Sequence, residues 1–349
     1  MSKEIREENK AAKVNRRDFI KVGAAGAALF GAGISCSENN AKLSTAAGKL
    51  PCRKLGNTGM NVSLISMGSP SKIEDKEKAL EVIDHARQRG INFFDTSANY
   101  GPKSESRFGE ALTDYRDEVY FSSKYESEDK PDKIKKDFER SMERMRTDYL
   151  DVAHMHSVET LEEVDTMFAS GALATLVELK EQGVVRNIGI TSHNNPQAMK
   201  LALERFDFDM CFQAANASKT PFIFEFELLG ESNFEDVSLP VALEKGIGVL
   251  AFKITGQGRL IRKENETDKA PIEALIRYGL SLPTDGILLG LRSKEEIDFA
   301  VDLATNFTPM SKEEMEKWNK ILAPNANAMT LHYLRPDYVD YGGWKTGIA

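Results

Sequence analysis

Apolar positions along this chain follow two alternating periods, and the switching between them divides it into units. Short apolar runs of strand length are each followed by a stretch whose apolar residues recur every three or four positions, the spacing of one helix face. Residues 53–62, with glycines at Gly56 and Gly59, read as a hairpin, and 62–67 as a first strand ending at Gly68-Ser69. A helical pattern over 76–89 puts Ala79, Leu80, Val82, Ile83 and Ala86 on one face, with Gly90 as its stop. Strands over 91–95, 119–124 and 150–156 then precede helices over 105–115, 132–146 and 161–182. A fifth strand, 185–192, leads to a helix at 196–206, and a sixth, 209–215, to an irregular stretch and a helix at 239–245. The seventh and eighth, 247–254 and 286–291, precede helices at 271–282 and 294–304. Eight strand–helix units predict an α/β fold, a closed (β/α)8 barrel. A doubly wound sheet is the rival, but it does not explain polar residues at so many consecutive strand ends. A further helix at 311–322 and an aromatic-bearing tail from Asn325 complete the chain.

The first 35 residues differ from this pattern. Asn15-Arg16-Arg17-Asp18-Phe19-Ile20-Lys21 precedes a Gly/Ala-rich apolar run that is too short to span a membrane and has the layout of a signal peptide. Paired arginines before Phe-Ile-Lys resemble a twin-arginine export signal, whose machinery carries folded proteins. A disordered basic tail before a core helix is the plainer alternative, although Gly23, Gly26, Gly31 and Gly33 make a poor helix. Gly33-Ile34-Ser35-Cys36 resembles a lipobox with glycine in place of the usual leucine, so a lipid anchor at Cys36 competes with simple cleavage near Ala41 or Ala47. The expected organisation is a signal over 1–35, a linker over 36–50, a barrel over 51–310 and a C-terminal helix and tail over 311–349. The expected location is periplasmic or membrane-anchored by lipid.

Charge follows the same division. The signal is net +3 within a chain of net −8, which leaves the remainder near −11. An acidic mature protein without a basic run argues against nucleic acid or an anionic membrane surface as its main partner. Of the two cysteines beyond Cys36, Cys211 lies in a strand run, so a buried free thiol is expected rather than a bond to Cys52.

The candidate chemistry sits at strand ends. Ile91, Phe93 and Asp95 share one strand face, so Asp95 lies inward at a buried C-terminal end, where an unpaired carboxylate is expensive. The next strand ends on Lys124, 29 residues on, and the one after ends on His156, 32 further. In a barrel these ends converge on one mouth, joined by Tyr100 from the polar loop after Asp95. His154 shares a face with His156 one layer deeper. No third ligand is spaced with the two histidines, so a hydrogen-bonded core histidine is expected at 154 and no metal is proposed.

Asp95, Tyr100, Lys124 and His156 resemble the catalytic four of the aldo-keto reductases in order and spacing, and Asn99-Tyr100-Gly101-Pro102 with Ser104-Glu105 fits that family's first active-site loop. The resemblance runs from about Leu55 to about Ala304 and implies a TIM barrel, with the N-terminal hairpin as a plug across its floor, that interconverts a small-molecule carbonyl and an alcohol. Free tyrosine, with a pKa of ~10, is a reluctant acid. In this reading the Lys124 ammonium, fixed by Asp95, makes Tyr100 a better proton donor, and His156 orients the carbonyl oxygen.

The resemblance also implies a nicotinamide cofactor. Thr191, Ser192 and Gln213 would hold its amide, and Asn216 stands where many members carry a tyrosine that stacks on the ring. Lys253, Thr255, Gly256 and Gly258 after the seventh strand would meet the pyrophosphate. Gly290, Arg292 and Glu296 would meet the adenosine phosphate, and Gly68 and Ser69 line the same side. An arginine at 292 favours NADP(H), with NAD(H) as the alternative. The rival readings are a nucleotide-holding redox-sensing or scaffolding barrel with slow turnover, and a glycosidase. The glycosidase needs paired carboxylates, whereas only Asp95 stands at a strand end. Substrate identity would rest with 219–233 and the tail, which carry no readable code.

Overall fold

The computed structural model describes residues 50–219, 223–224, 227–228, 233–335, 338 and 340, and its centre is a closed ring of eight parallel strands. The arginine pair, Cys36 and the linker up to residue 49 lie outside the described residues, as do Tyr341 and Trp344 of the tail. The ring strands are β3 (Ile65–Met67), β4 (Phe93–Asp95), β5 (Tyr120–Glu126), β6 (Leu150–His156), β7 (Val185–Ser192), β8 (Met210–Ala214), β11 (Gly248–Phe252) and β12 (Gly286–Leu289). They pair in chain order, and β12 closes on β3 through Ile287 opposite Ile65. The expected (β/α)8 TIM barrel is the architecture found. Among the described residues no helix is long and apolar enough to cross a membrane, and no group of three potential ligands could hold a metal ion.

Below the ring, β1 (Cys52–Lys54) and β2 (Asn61–Ser63) form the antiparallel hairpin. The sequence pattern ran β2 and β3 together as one strand over 62–67, but the chain kinks at Leu64. The cause is local: the Ser63 hydroxyl donates to the Ile65 carbonyl at 2.6 Å, and the Ser63 N–H donates to the Asn92 side chain at 2.8 Å. Asn92 in turn donates to the Asn61 carbonyl at 2.9 Å, which ties the plug to the start of β4. Leu55, fully buried, packs on Gly248, where a side chain would come within 2.7 Å of it. The plug thereby closes the barrel floor.

The outer helices are α1 (Lys76–Gln88), α2 (Pro102–Leu112), α3 (Pro131–Met145), α4 (Leu161–Ala169), α5 (Ala172–Glu181), α6 (Pro196–Arg205), α7 (Phe234–Val237), α8 (Leu239–Glu244), α9 (Ile272–Ser281), α10 (Lys294–Thr305) and the additional α11 (Lys312–Leu322). The single helix expected over 161–182 is two. Ser170 turns its hydroxyl to the Ser127 carbonyl at 2.8 Å, and Gly171 sits at φ 88, a left-handed conformation that favours glycine. Helix α2 starts at Pro102, three residues before the expected Glu105, because proline suits a first helical position where no N–H is needed. The irregular stretch after β8 contains a short ribbon of β9 (Ile223–Phe224) and β10 (Glu227–Leu228).

An aromatic layer fills the barrel beneath its mouth. Phe212 meets Phe93 edge-on at 6.2 Å and Phe252 at 5.9 Å, and His154 stacks on it at 4.6 Å. Full burial of a phenylalanine contributes about 1.5–3 kcal/mol, so this layer fixes the platform on which the strand ends stand. His154 differs from expectation: neither ring nitrogen makes a hydrogen bond among the described residues. Burial, reinforced by Lys124, drives its pKa well below the usual range, so the ring is neutral and serves as a flat apolar slab. Gly189 across the β6–β7 pair makes room for it, since a Cβ there would stand 2.2 Å from His154 Nδ1.

Candidate active site

The centre of the mouth is an ion pair. Asp95 ends β4 and Lys124 lies inside β5, and their side chains meet at 2.6 Å with almost no exposure. The other Asp95 oxygen accepts from Ser122 Oγ at 2.5 Å, and Lys124 also donates to the Thr96 carbonyl at 2.6 Å. Burial pushes the Asp95 carboxyl up from its ordinary range, while Lys124 and Ser122 pull it back. Losing one partner would strand a buried charge, which costs about 3–5 kcal/mol.

Tyr100 stands directly above. Lys124 Nζ lies 5.0 Å from its ring centroid, and the His156 ring meets it edge-on at 5.8 Å. The loop is fixed from both sides. The Tyr100 N–H donates to the Ser97 carbonyl at 3.1 Å, and Ser104, at the start of α2, bonds Ser69 at 2.6 Å. Glu105 is buried between Ser123 Oγ at 2.8 Å and Arg144 at 3.1 Å, which holds α2 against β5.

His156 is oriented by a residue absent from the sequence reading. Glu126 lies opposite it in the β5–β6 register, takes Nδ1 at 2.8 Å and accepts from Asn99 at 2.6 Å. Burial alone would make the imidazole less basic. Glu126, with Asp340, outweighs it and raises the ring to about 9, so His156 is cationic near neutral pH. The signal for Glu126 was available: it shares the inward face of β5 with Lys124, two residues on.

A second glutamate–histidine pair stands across the mouth. Glu159 accepts from the His193 and Asn194 N–H groups at 2.7 and 3.0 Å, from Ser192 Oγ at 2.8 Å, and pairs with His193 Nδ1 at 2.7 Å. Its pKa is lowered because His193 and these donors outweigh burial. The pair turns His193 Nε2 towards Asp340, at 3.2 Å. Asp340 comes from the tail and accepts from Tyr100 OH, Tyr338 OH and Lys253 Nζ. Burial alone would raise it, but Lys253 and the histidines hold its carboxyl well below the usual range. The expectation that Lys124 makes the phenol more acidic does not describe this state. Burial, followed by the Asp340 and Asp95 charges, lifts Tyr100 well above the usual tyrosine value.

Of these side chains Asp95, Tyr100, Lys124, Lys253 and Asp340 open into a cavity of about 640 Å³, whose lining does not include His156 or His193. Of the residues singled out from sequence, its lining includes Asp95, Tyr100, Lys124, Gly68, Ser69, Lys253, Thr255, Gly258, Gly290, Arg292 and Glu296. They fit an anionic cofactor. Gly258 and Gly290 leave open space where a side chain would stand, and exposed Arg292 precedes the N-terminus of α10. Gly256 lies under the loop, facing Leu331 and Leu260. Thr191, Ser192 and Gln213 are buried with other partners: Thr191 Oγ1 accepts from Ser157 N at 2.8 Å, Ser192 bonds Glu159, and Gln213 Oε1 accepts from Ser238 at 3.0 Å. Asn216 donates to Tyr333 OH at 2.8 Å and to the Lys253 carbonyl at 3.2 Å, so the tail is anchored where a stacking tyrosine is usual in the family the motifs resemble. Cys52 and Cys211 are free thiols, and burial pushes Cys211 up to about 12.

Comparison with known proteins bears on the fold and the family. The chain is 28% identical over 228 residues to L-galactose dehydrogenase of Arabidopsis thaliana, covering 61% of this chain and 67% of that one. Other curated relatives are matched over 48% and 36% of their own length. Among solved structures, an aldo-keto reductase from Bacillus halodurans in its holo form superposes with a TM-score of 0.63 at 23% identity, over 78% of this chain and 96% of that one. One from Klebsiella pneumoniae in complex with NADPH gives 0.62 at 16%, over 78% and 95%. The sequence profile of the Aldo/keto reductase family matches residues 64–274, and the chain belongs to that family.

Proposed function

We propose that the protein is an NADP-dependent oxidoreductase that interconverts a carbonyl and an alcohol, with Tyr100 moving the proton at the substrate oxygen. One observation carries this reading: Tyr100, the Asp95–Lys124 pair and the Arg292 end of the barrel line one continuous cavity. When bound, the nicotinamide supplies or accepts the hydride. The Klebsiella pneumoniae relative with NADPH supports that cofactor, and so does Arg292.

The remaining work falls to side chains. Tyr100 OH and His156 Nε2 converge on one oxygen position, now held by an Asp340 oxygen. The cationic His156 polarises a carbonyl oxygen placed there, and the Tyr100 proton neutralises the charge that develops on it. Asp95 fixes the Lys124 ammonium 5.0 Å from the Tyr100 ring, beside the phenolate that Tyr100 becomes. The elevated pKa keeps the phenol protonated at neutral pH, and one of its causes departs when Asp340 does. Tyr100→Phe keeps the ring and removes the proton, so single-turnover reduction falls by at least ~100-fold while NADPH affinity stays within about twofold. Wild-type single-turnover rates in this variant would refute the assignment.

The Asn15–Lys21 run supports export through the twin-arginine machinery to the periplasm, with or without a lipid at Cys36. Because that route carries folded protein, the barrel leaves the cytoplasm with its nucleotide enclosed.

A further inference from the structure

The tail brings one carboxylate into the catalytic mouth, and its two oxygens fall on different sets of donors. Asp340 Oδ2 accepts from Tyr100 OH and faces His156 Nε2 at 3.7 Å, the two groups assigned above to a carbonyl oxygen. Asp340 Oδ1 accepts from Lys253 Nζ at 2.6 Å and Tyr338 OH at 3.0 Å, and faces His193 Nε2 at 3.2 Å. Proton transfer at the carbonyl oxygen does not use this second set, in which Lys253 also lies in the cavity matched above to the cofactor. The His193 ring is locked by Glu159 and Lys253 is nearly buried.

We propose that Lys253 and His193 form a carboxylate subsite beside the carbonyl site, that the substrate is a 2-oxo acid or its 2-hydroxy acid, and that Asp340 is an internal occupant which the substrate displaces. The proposal rests on the reading of Tyr100 and His156 given above. In a 2-oxo acid the carbonyl oxygen and one carboxylate oxygen sit syn on adjacent carbons, slightly further apart than the two oxygens of one carboxylate. They therefore reach the same two donor sets as Asp340. Displacement is required, because the Tyr100 O–H that a substrate oxygen needs is given to Asp340. It also selects charge. Moving Asp340 out strips the buried Lys253 ammonium of its counter-ion, and a substrate carboxylate restores one where a neutral hydroxyketone does not. In the reductive direction the carbonyl carbon gains a hydride from the reduced nicotinamide and its oxygen takes the Tyr100 proton. The products are the 2-hydroxy acid and oxidised cofactor, and the carboxylate is unchanged.

The test uses full-length protein, with 2-oxobutyrate and neutral 1-hydroxy-2-butanone as substrates and oxamate as a binding probe. Wild type favours the acid in kcat/KM. Lys253→Met lowers the acid-to-ketone ratio by at least about 10-fold, through KM, as expected for a lost charge-assisted hydrogen bond. In calorimetric titration without cofactor, Asp340→Ala binds oxamate at least about 10-fold tighter than wild type, because its internal competitor is gone. Lys253→Met and His193→Gln both weaken oxamate, and the histidine variant reports on the subsite should the lysine variant fail to fold. The proposal is overturned if Asp340→Ala binds oxamate no tighter. It is also overturned if Lys253→Met weakens NADPH while leaving the substrate ratio intact, which would give the lysine to the cofactor. Turnover of the ketone without preference for the acid removes the subsite and leaves the reductase. The expected oxamate pattern without turnover of either compound removes the reductase and leaves the subsite.

Discussion

Replacing Glu126 with glutamine keeps the shape that holds His156 and removes the charge that keeps it cationic. His156 stands at about 9, against 6.5 for an unperturbed ring, even though burial and Lys124 both oppose protonation. Glu126, in contact at 2.8 Å, is the largest of the influences that raise it. An opposite charge at such a distance shifts a pKa by about 1–3 units, so the glutamine variant should bring His156 down by that amount. Asp340 continues to raise it. The gap between 6.5 and about 9 corresponds to roughly 3 kcal/mol at ~1.36 kcal/mol per unit. Because the folded pKa is the higher one, this contribution is fully present below 6.5 and is lost as pH rises through about 9. Glu126 titrates on the acid side of this window, where its own lowered pKa acts. Wild type should therefore lose up to about 3 kcal/mol more stability than Glu126→Gln between pH 6 and pH 9, measured by urea unfolding. Titration of the His156 ring by NMR in both proteins gives the direct reading. An unchanged His156 pKa in the variant, or parallel stability profiles, would refute the assignment of its charge to Glu126.

Three further outcomes are expected. Arg292→Ala should weaken NADPH by about 10-fold or more and NADH little, since a charge-assisted phosphate contact is worth about 1.5–3 kcal/mol; equal loss in fluorescence titrations would place Arg292 elsewhere. Gly189→Ala should destabilise the fold by about 1–3 kcal/mol in urea unfolding, because its Cβ overlaps the His154 ring, and His154→Ala in the same chain should relieve much of that loss. Replacing both Arg16 and Arg17 with lysine should stop export in a fractionation assay, and exported wild-type protein should carry bound nucleotide by mass spectrometry; an empty exported protein refutes the loaded-cofactor idea.

Local pattern was enough for the barrel. Period-two runs carry polar residues at regular intervals, and a strand that buries Phe93 and Asp95 on one face needs a cation on the neighbouring strand, which Lys124 supplies from inside β5. The sequence therefore determined the eight-unit repeat and the placing of Asp95, Tyr100, Lys124 and His156 at one mouth, although β5 runs on to Glu126, two residues past its expected end. The breaks at Leu64 and Ser170-Gly171 escaped it, because side-chain bonds to the backbone and a left-handed glycine interrupt elements whose apolar periodicity continues. Glu126 and Glu159 were within reach, one on the Lys124 strand face and one three residues past His156, but a glutamate at such positions looks like an ordinary solvated charge until its histidine is seen. Asp340 was not within reach. It lies 240 residues from Tyr100 in the chain, in a tail without periodicity, and only tertiary folding brings its carboxylate between Tyr100, Lys253 and the two histidines. The charge state of the mouth followed the same rule, since burial and the long-range partner outweighed the neighbour that the sequence could name.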